Sequence, residues 1–514
     1  MKIGIVAPGG FDRSGTERVI PVFLWLVERL SRDHEIHVFT LRQGPDEEQY
    51  PLLGATVHNI GDRGGRRRSA ELMARTIAAI GREHNRGRFT VLHGLWAAAS
   101  GLAAAIAGKC WRIPTVVSVA GGEMSSMPEI GYGSQLSLKS RMEVGLCLRL
   151  ADVVTGASEW MCRSIRKHRP DVRHVVMGVD TEVFQPAFQE PIFQDMSSHT
   201  RPPSMISQRR LGLQRRGQDR RGSHIIRKGA PVRRPRLGSA TRSTRKRDEA
   251  EAGVNQNHPA PNIEPSRAYR LLHVGSLNPV KDQATLLRAF LEIVIEEPSA
   301  HLDIIGIDTL NGEIQRLAHD LGLDGDVTFH GCLLSEDVAS FVQKADLLLH
   351  TSLSEMGPIV CLEAAACGVP TVGTSVGLIA DLAPEAAVAV PVGDHHALAQ
   401  AAIALLRNID ARRAMGNRAL EFAQAHDADW TALQFELIYA DLVCRSGDKI
   451  IKACLPSSAP SPFSRAMERS QIYRLPLRET VRGYQGLNSP PTGRMRVHEL
   501  EHEELATRSG ILKG

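Results

Sequence analysis

One pattern, met twice, limits what this chain can become. Short apolar, β-rich runs alternate with stretches of helical period from Met1 to about Pro186, and the alternation restarts near Tyr269. In the first stretch IGIVA (3–7) ends in Pro8-Gly9-Gly10, and Val19, Val22, Phe23, Leu26, Val27 and Leu30 then recur at the three-and-four spacing of an amphipathic helix. EIHVF, ATVHNI, FTVLH, PTVVSVA and ADVVTGAS read as further strands, with helical stretches around 69–84, 97–109, 136–149 and 158–168. In the second stretch RLLHVG, HLDIIG, DVTFHG, ADLLLHT, PTVGT and AVAVPV read as strands. The first of their helices carries Leu286, Leu287, Phe290 and Val294 on one face, and others lie around 311–321, 335–344, 358–367 and 395–406. Ser335 reads as an N-cap, Gly322 and Gly368 as C-terminal stops, and Asp429 to Val443 as a closing helix. Strands alternating with helices imply right-handed crossovers and a parallel sheet covered on both faces. The expected class is α/β, with two Rossmann-like, doubly wound domains facing across a cleft.

Domains are expected over 1–186 and 267–445. The 514 residues are too many for one core, and 42% apolar with 23% charged residues suits a globular protein. Residues 187–266 fit neither domain. Between Arg201 and Arg247 stand sixteen Lys or Arg and one acid, Asp219, leaving 46 basic and 56 acidic residues elsewhere. A mildly acidic protein thus carries one intensely basic insertion, rich in Arg, Ser, Pro and Gly, which is expected to be disordered. Its two readings are attraction to an acidic membrane surface or nucleic acid, and a tolerated expansion without a role. Nucleic acid is disfavoured because 201–247 has no Phe, Trp or Tyr for base stacking. Residues 446–514 read as a mostly disordered tail, with VHELEHEEL as a short candidate helix.

The longest apolar run, Leu95 to Gly108, falls short of the roughly 18 residues a membrane helix needs. The first residues show no charged and then apolar leader, so no secretory signal is expected. Eight cysteines without a Cys-x-x-Cys pair argue against a disulfide scaffold and a structural zinc, and suit a reducing cytoplasm.

Three strand-end segments carry candidate chemistry, which is where ligands bind in doubly wound folds. The first is GGFDRSGTERV (9–19). Gly15 and Thr16 are expected at a helix N-terminus, suited to anions or hydroxyl-rich groups, with an ordinary glycine-rich turn as the alternative. The spacing is not Gly-x-Gly-x-x-Gly, so dinucleotide binding is not indicated. The second is HVGSLNPVKDQATLL (273–287), where a strand ends at Gly275 and a helix is expected from near Pro279. Lys281 in its first turn opposes the macrodipole and asks for an anionic partner such as a diphosphate, unless it is simply solvated. The third, HTSLSEMGPIVCLEAAACGVPTVGT (350–374), holds Glu355 after a strand and Glu363 on the following helix, with Gly357-Pro358 at its start. Glu363 stands among Leu362, Ala364, Ala365 and Ala366, and a buried carboxylate needs partners.

Together these segments resemble the retaining nucleotide-sugar glycosyltransferases of family four, which have the two-Rossmann GT-B fold. The resemblance rests on Glu355-x7-Glu363 with the Ala-x-x-x-Gly-x-Pro after it, on Gly15-Thr16-Glu17-Arg18, on VGSLNPVKD with Lys281, and on the link MGVDTEVF (177–184). It implies transfer of a sugar from a nucleoside-diphosphate-sugar to a hydroxyl with retention, and sugar-nucleotide epimerases of the same fold are the rival enzymes. Lys281 is implied at the donor diphosphate, Glu363 at the ribose and Glu355 at the donor sugar, with Lys281, Glu355 and Glu363 as the catalytic set. Gly275, Ser276, Met356, Gly357, Pro358 and Ile359 join the donor site, and Gly15 and Thr16 close the cleft. His93 and Glu123 are acceptor-side candidates, with a satisfied structural histidine as the favoured alternative for His93 in LHGLW. No metal or cofactor is expected.

The chain departs from the family pattern at Ser276, where arginine is frequent, at Ala120, where histidine is frequent, and at Met177 in place of asparagine. The first two leave open a non-catalytic binding protein on the same scaffold. The implied partners are the donor, a saccharide or lipid-linked acceptor, and peripheral contact with an acidic membrane surface from the cytoplasmic side.

Overall fold

Ile3, Ile5 and Val6 are fully buried, as an apolar run must be when helices cover both faces of its sheet. They lie on the first strand of a computed structural model that describes residues 1–62, 69–187 and 268–445. The first lobe is built on β1 (Lys2–Ala7), β2 (Glu35–Thr40), β3 (Glu48–Leu52), β4 (Ala55–Asn59), β5 (Val91–Leu95), β6 (Thr115–Val119), β7 (Val153–Gly156) and β8 (Arg173–His174). Their order is β3-β4-β2-β1-β5-β6-β7-β8. The second lobe uses β9 (Arg270–Val274), β10 (His301–Ile305), β11 (Val327–Gly331), β12 (Leu347–His350), β13 (Thr371–Thr374) and β14 (Ala387–Val390), in the order β11-β10-β9-β12-β13-β14. Two parallel-sheet lobes in one compact unit make the GT-B architecture.

The strand order reverses between β1 and β5 in the first sheet, and between β9 and β12 in the second. Loops leaving the carboxyl ends of strands at such a point diverge and open a crevice. The loops after β9 and β12 are those that carry Lys281 and Glu355.

The last described helix, Ala428–Arg445, follows the second lobe in sequence but packs on the first, against helix Pro21–Leu30 and β5. Thr431 Oγ1 donates to the Val176 carbonyl at 2.8 Å and accepts from the Gly178 N–H at 2.8 Å. The Arg29 guanidinium, almost wholly buried, meets Asp429 at 3.1 Å and Asp180 at 3.2 Å. Away from this helix, Asp381 on the second-lobe helix Gly377–Leu382 accepts from the Glu159 and Trp160 N–H groups at 2.6 and 3.0 Å. It thereby caps the first-lobe helix Glu159–Arg166 from across the lobe boundary.

Several local expectations change. EQYPL is a strand, β3, paired antiparallel to β4, with Tyr50 and Leu52 turned inward and Pro51 outward on a sheet edge. Helix Ile409–Ala425 was not foreseen, because it buries small residues such as Gly416, Ala419 and Ala423 rather than a large apolar stripe. Ser335 is the first residue of its helix, preceded by Leu334 as cap without a side-chain bond. Helix Pro21–Leu30 starts at Pro21, so Gly15 and Thr16 do not stand at a helix N-terminus. The expected disordered insertion and the tail lie outside the described residues, apart from Ala187.

Candidate functional site

A cleft of about 440 Å³ opens between the lobes. Trp96, Ala120, Gly121, Ile130, Gly131 and Tyr132 line it from the first lobe, and 278–281 with 354–357 from the second. Lys281 does not sit in the first turn of an α-helix. It ends a single 3-10 turn, Pro279–Lys281, and the α-helix Gln283–Glu296 begins after Asp282. Asn278 Oδ1 accepts from the Lys281 N–H at 3.1 Å, and Asp282, at φ +47°, caps the following helix through Thr285. Two caps in succession force the break and turn Lys281 out of the helix. A Cβ on Gly275 would lie 3.4 Å from Lys281 Cε, an ordinary contact, so the lysine stem runs along the backbone at the end of β9.

The Lys281 ammonium donates to Glu355 Oε1. Ser352 Oγ donates to the same oxygen at 2.8 Å, and His350 Nε2 lies 2.9 Å from that hydroxyl and 3.4 Å from Glu355 Oε1. A carboxylate and a hydroxyl already donating both require the His350 proton on Nε2. Its Nδ1 is buried without a hydrogen-bond partner among the described residues. Burial pushes the Glu355 carboxyl upward, but the Lys281 charge and the hydrogen bonds from His350 and Lys281 outweigh it. Glu355 is held well below the usual carboxylate range. Burial pushes His350 the opposite way, so it stays neutral.

Met356 crosses the cleft and packs among first-lobe core residues such as Val117 and Cys147. A Cβ on Gly357 would meet that of Ala157 at 3.1 Å, so the lobes touch closely there. Pro358 is the cap residue of helix Ile359–Ala366, not a residue of its first turn, and no side chain caps that N-terminus. Glu363 lies on this helix, buried, and burial pushes its carboxyl up to about 7. Glu363, Pro358, Ile359, Gly275 and Ser276 are absent from the cleft lining.

The resemblance drawn from the motifs has a counterpart in family models. The model for glycosyl transferases group 1 matches residues 254–422, and that for the glycosyl transferase 4-like domain matches 19–179. The chain belongs to the group 1 glycosyl transferases. It is 33% identical to an N-acetyl-alpha-D-glucosaminyl L-malate synthase of Bacillus anthracis over 34% of this chain and 45% of that one. To a D-inositol 3-phosphate glycosyltransferase of Arthrobacter sp. (strain FB24) it is 22% identical over 72% of this chain and 76% of the relative. For several other curated relatives the match spans less than half of their length. Among solved structures, sucrose-phosphate synthase from Thermosynechococcus elongatus shares the fold, with a TM-score of 0.63, 17% identity, and 87% and 100% of the two chains covered.

The remaining candidates fall away from the cleft or behind it. Gly15 and Thr16 belong to a loop closed on itself, with Gly15 donating to the Asp12 carbonyl at 2.9 Å and Thr16 to Ser14 Oγ at 3.3 Å. Neither lines the cleft. His93 is a correction: it is fully buried, with Nδ1 2.7 Å from Tyr439 Oη and Nε2 2.7 Å from Ser118 Oγ. Burial lowers its pKa to about 3, which keeps it a neutral structural group rather than an acceptor-side base.

Glu123 is buried behind the cleft wall. It accepts N–H bonds from Ala97 at 2.9 Å, Ala120 at 3.2 Å and Gly121 at 2.6 Å. It joins the loop after β5 to the loop after β6 and sets the wall without facing the ligand space. Trp96 and Tyr132 line the cleft but belong to no motif, and only their strand-end and loop positions could have flagged them. His350 and Ser352 stood within the third segment itself, at the end of β12.

His37, His58 and Glu83 gather in the first lobe with ligand-type atoms within 4.8 Å of one another. Their geometry does not suit a metal. His37 Nδ1 and His58 Nε2 are 2.9 Å apart in rings inclined by only 16°, with centroids 5.2 Å apart. Two imidazoles bonded edge to edge have that separation, and the shared proton fills the space an ion would need.

Proposed function

We propose that this chain transfers a sugar from a nucleoside-diphosphate-sugar to a hydroxyl acceptor with retention at the anomeric carbon. The observation that carries the reading is the Lys281–Glu355 pair at the strand-order reversal of the second sheet, facing a cleft walled by the first lobe. Departure of a nucleoside diphosphate builds negative charge, and a lysine fixed in a partly desolvated cleft stabilises that charge as it grows. Lys281 takes this role, exchanging Glu355 for the diphosphate when the donor enters. Backbone N–H groups at the uncapped start of helix Ile359–Ala366 add to it, as helix N-termini do for phosphates.

Glu355, kept ionised, accepts from hydroxyls of the donor sugar. Glu363 holds the ribose hydroxyls, which offer its buried carboxyl the donors it lacks among the described residues. Trp96, Tyr132 and the Ala120-Gly121 turn face the acceptor. In this reading Ser276 and Ala120 leave the diphosphate charge to Lys281 and the helix N-terminus alone. The names of two relatives contain L-malate and D-inositol 3-phosphate, both hydroxyl-bearing, which supports a hydroxyl acceptor.

The test is a panel of nucleotide sugars with the purified chain, reading nucleotide release with and without hydroxyl acceptors and assigning the product anomer by NMR. Acceptor-dependent release with an anomer matching the donor supports the reading. A chain that neither binds nor consumes any donor overturns it, and release coupled to epimerisation without an acceptor favours the rival.

A further inference from the structure

Helix Leu138–Leu150 carries apolar residues on two faces, and the first lobe covers only one of them. Val144, Cys147 and Leu148 are buried against the lobe. Leu138, Met142 and Leu146, at successive steps of four, form a stripe on the opposite face with 67%, 66% and 45% of their surface exposed. Leu136, just before the helix, extends the stripe at 37%. The other large apolar side chains exposed among the described residues stand singly on separate elements. Scattered residues need no explanation, but a contiguous stripe does.

The rim of this stripe is basic. Lys139 and Arg141 flank it and Arg149 closes its C-terminal end. The one acid of the helix, Glu143, is paired with Lys139 at 3.6 Å. Arg141 and Arg149 are exposed and have no acidic partner among the described residues. We infer that this face docks on an anionic lipid bilayer, with the Leu138–Met142–Leu146 stripe in the acyl boundary and the arginines at the headgroup phosphates.

Charge complementarity selects this occupant. A second copy of the face would bring its unpaired arginines against their equals, whereas a bilayer surface supplies negative charge and apolar depth together. Long basic stems also lie along apolar surface while their heads stay at the interface. The segment leading into the helix contains Ile130, Gly131 and Tyr132 of the cleft wall, so docking sets the cleft mouth beside the membrane. The inference does not depend on which sugar or acceptor is used. It is also separate from the basic stretch 201–247, which holds no Phe, Trp or Tyr.

The experiment is flotation of the full chain on vesicles of equal parts phosphatidylcholine and phosphatidylglycerol, beside vesicles of phosphatidylcholine alone. The triple variant Leu138→Gln/Met142→Gln/Leu146→Gln leaves every charge in place, including those of 201–247, and alters only exposed side chains. The expected result is binding of the parent to the anionic vesicles and a loss of about ten-fold or more in the variant, as three side chains no longer insert. Donor binding and turnover on a soluble acceptor are unchanged in the variant. Equal flotation of parent and variant overturns the inference, as does a parent that ignores both vesicles. Lipid-free self-association of the parent that the variant abolishes also overturns it, assigning the stripe to a second copy. A chain without transferase activity that still floats by this stripe leaves the inference standing and removes only the proposed reaction.

Discussion

The ammonium of Lys281 and the carboxylate of Glu355, 74 residues apart, meet at the ends of adjacent strands β9 and β12. One charge keeps the other ionised where burial alone would neutralise it. Lys281→Ala is therefore expected to lower transfer about 100- to 1,000-fold, the usual loss when one electrostatic contact to a leaving group is removed. Deleting 201–247 is expected to leave turnover on a soluble acceptor within a few fold, because the proposed chemistry draws on Lys281 and on none of the charges in that stretch. Steady-state kinetics on both variants check this. A silent Lys281→Ala beside an inactive deletion removes the diphosphate assignment.

Glu363 sets a pH dependence of stability. Its carboxyl is pushed from an ordinary 4.5 to about 7. Between those values the folded chain holds a proton that the unfolded chain releases, so stability falls as pH rises through this window. The full effect is on the order of 3 kcal/mol. Glu363→Gln is expected to remove this dependence and to be the more stable protein at pH about 8, while binding nucleotide more weakly. Urea denaturation at both ends of the window, with nucleotide titration, tests the trade. Parallel pH profiles for the two proteins count against the assignment.

Glu123 acts through the backbone it holds. Glu123→Gln keeps one acceptor oxygen but puts an amide donor against backbone N–H groups. A loss of about 1–3 kcal/mol in stability is expected. Ala120 and Gly121 line the cleft from the first lobe and face the acceptor in the proposed reaction, so KM for the acceptor should rise while donor affinity holds. Equal damage to donor and acceptor constants would show a general collapse instead.

Tyr439→Phe removes the hydroxyl facing His93 Nδ1 and leaves a buried imidazole nitrogen unpaired. About 1–3 kcal/mol of stability should be lost with no change in donor affinity. A change in kcat larger than the change in stability accounts for would return His93 to the reacting groups.

The repeated strand–helix alternation was readable because each buried strand is a continuous apolar run and each covering helix has an apolar face. β3 was hidden by Pro51 and its two leading polar residues, which suit an edge and carry no central-strand pattern. Lys281 and Glu355 could be picked out singly, since both follow strands and both are oddly placed charges. Their pairing could not, because no local period records which loops converge at a strand-order reversal. The partners that make His93 structural were hidden for the same reason. Its partner Tyr439 is 346 residues away, and nothing near Leu92-His93-Gly94 announces that the interior supplies two hydroxyls.

The return of helix Ala428–Arg445 onto the first lobe bears on how the protein is made. Domains emerging from a ribosome ordinarily fold in turn, the N-terminal one first. Here β5, helix Pro21–Leu30 and the link through Val176 to Asp180 wait for partners encoded near the far end of the described chain. The first lobe is synthesised early and completed late. Until the last helix appears, Arg29 keeps Asp180 but lacks Asp429, and His93 keeps Ser118 but lacks Tyr439 and the Phe435 ring, and the whole basic stretch has already been translated. A ribosome stalled before residue 428 should therefore hold a first lobe still open to protease, and release of the last helix is the event that seals both halves.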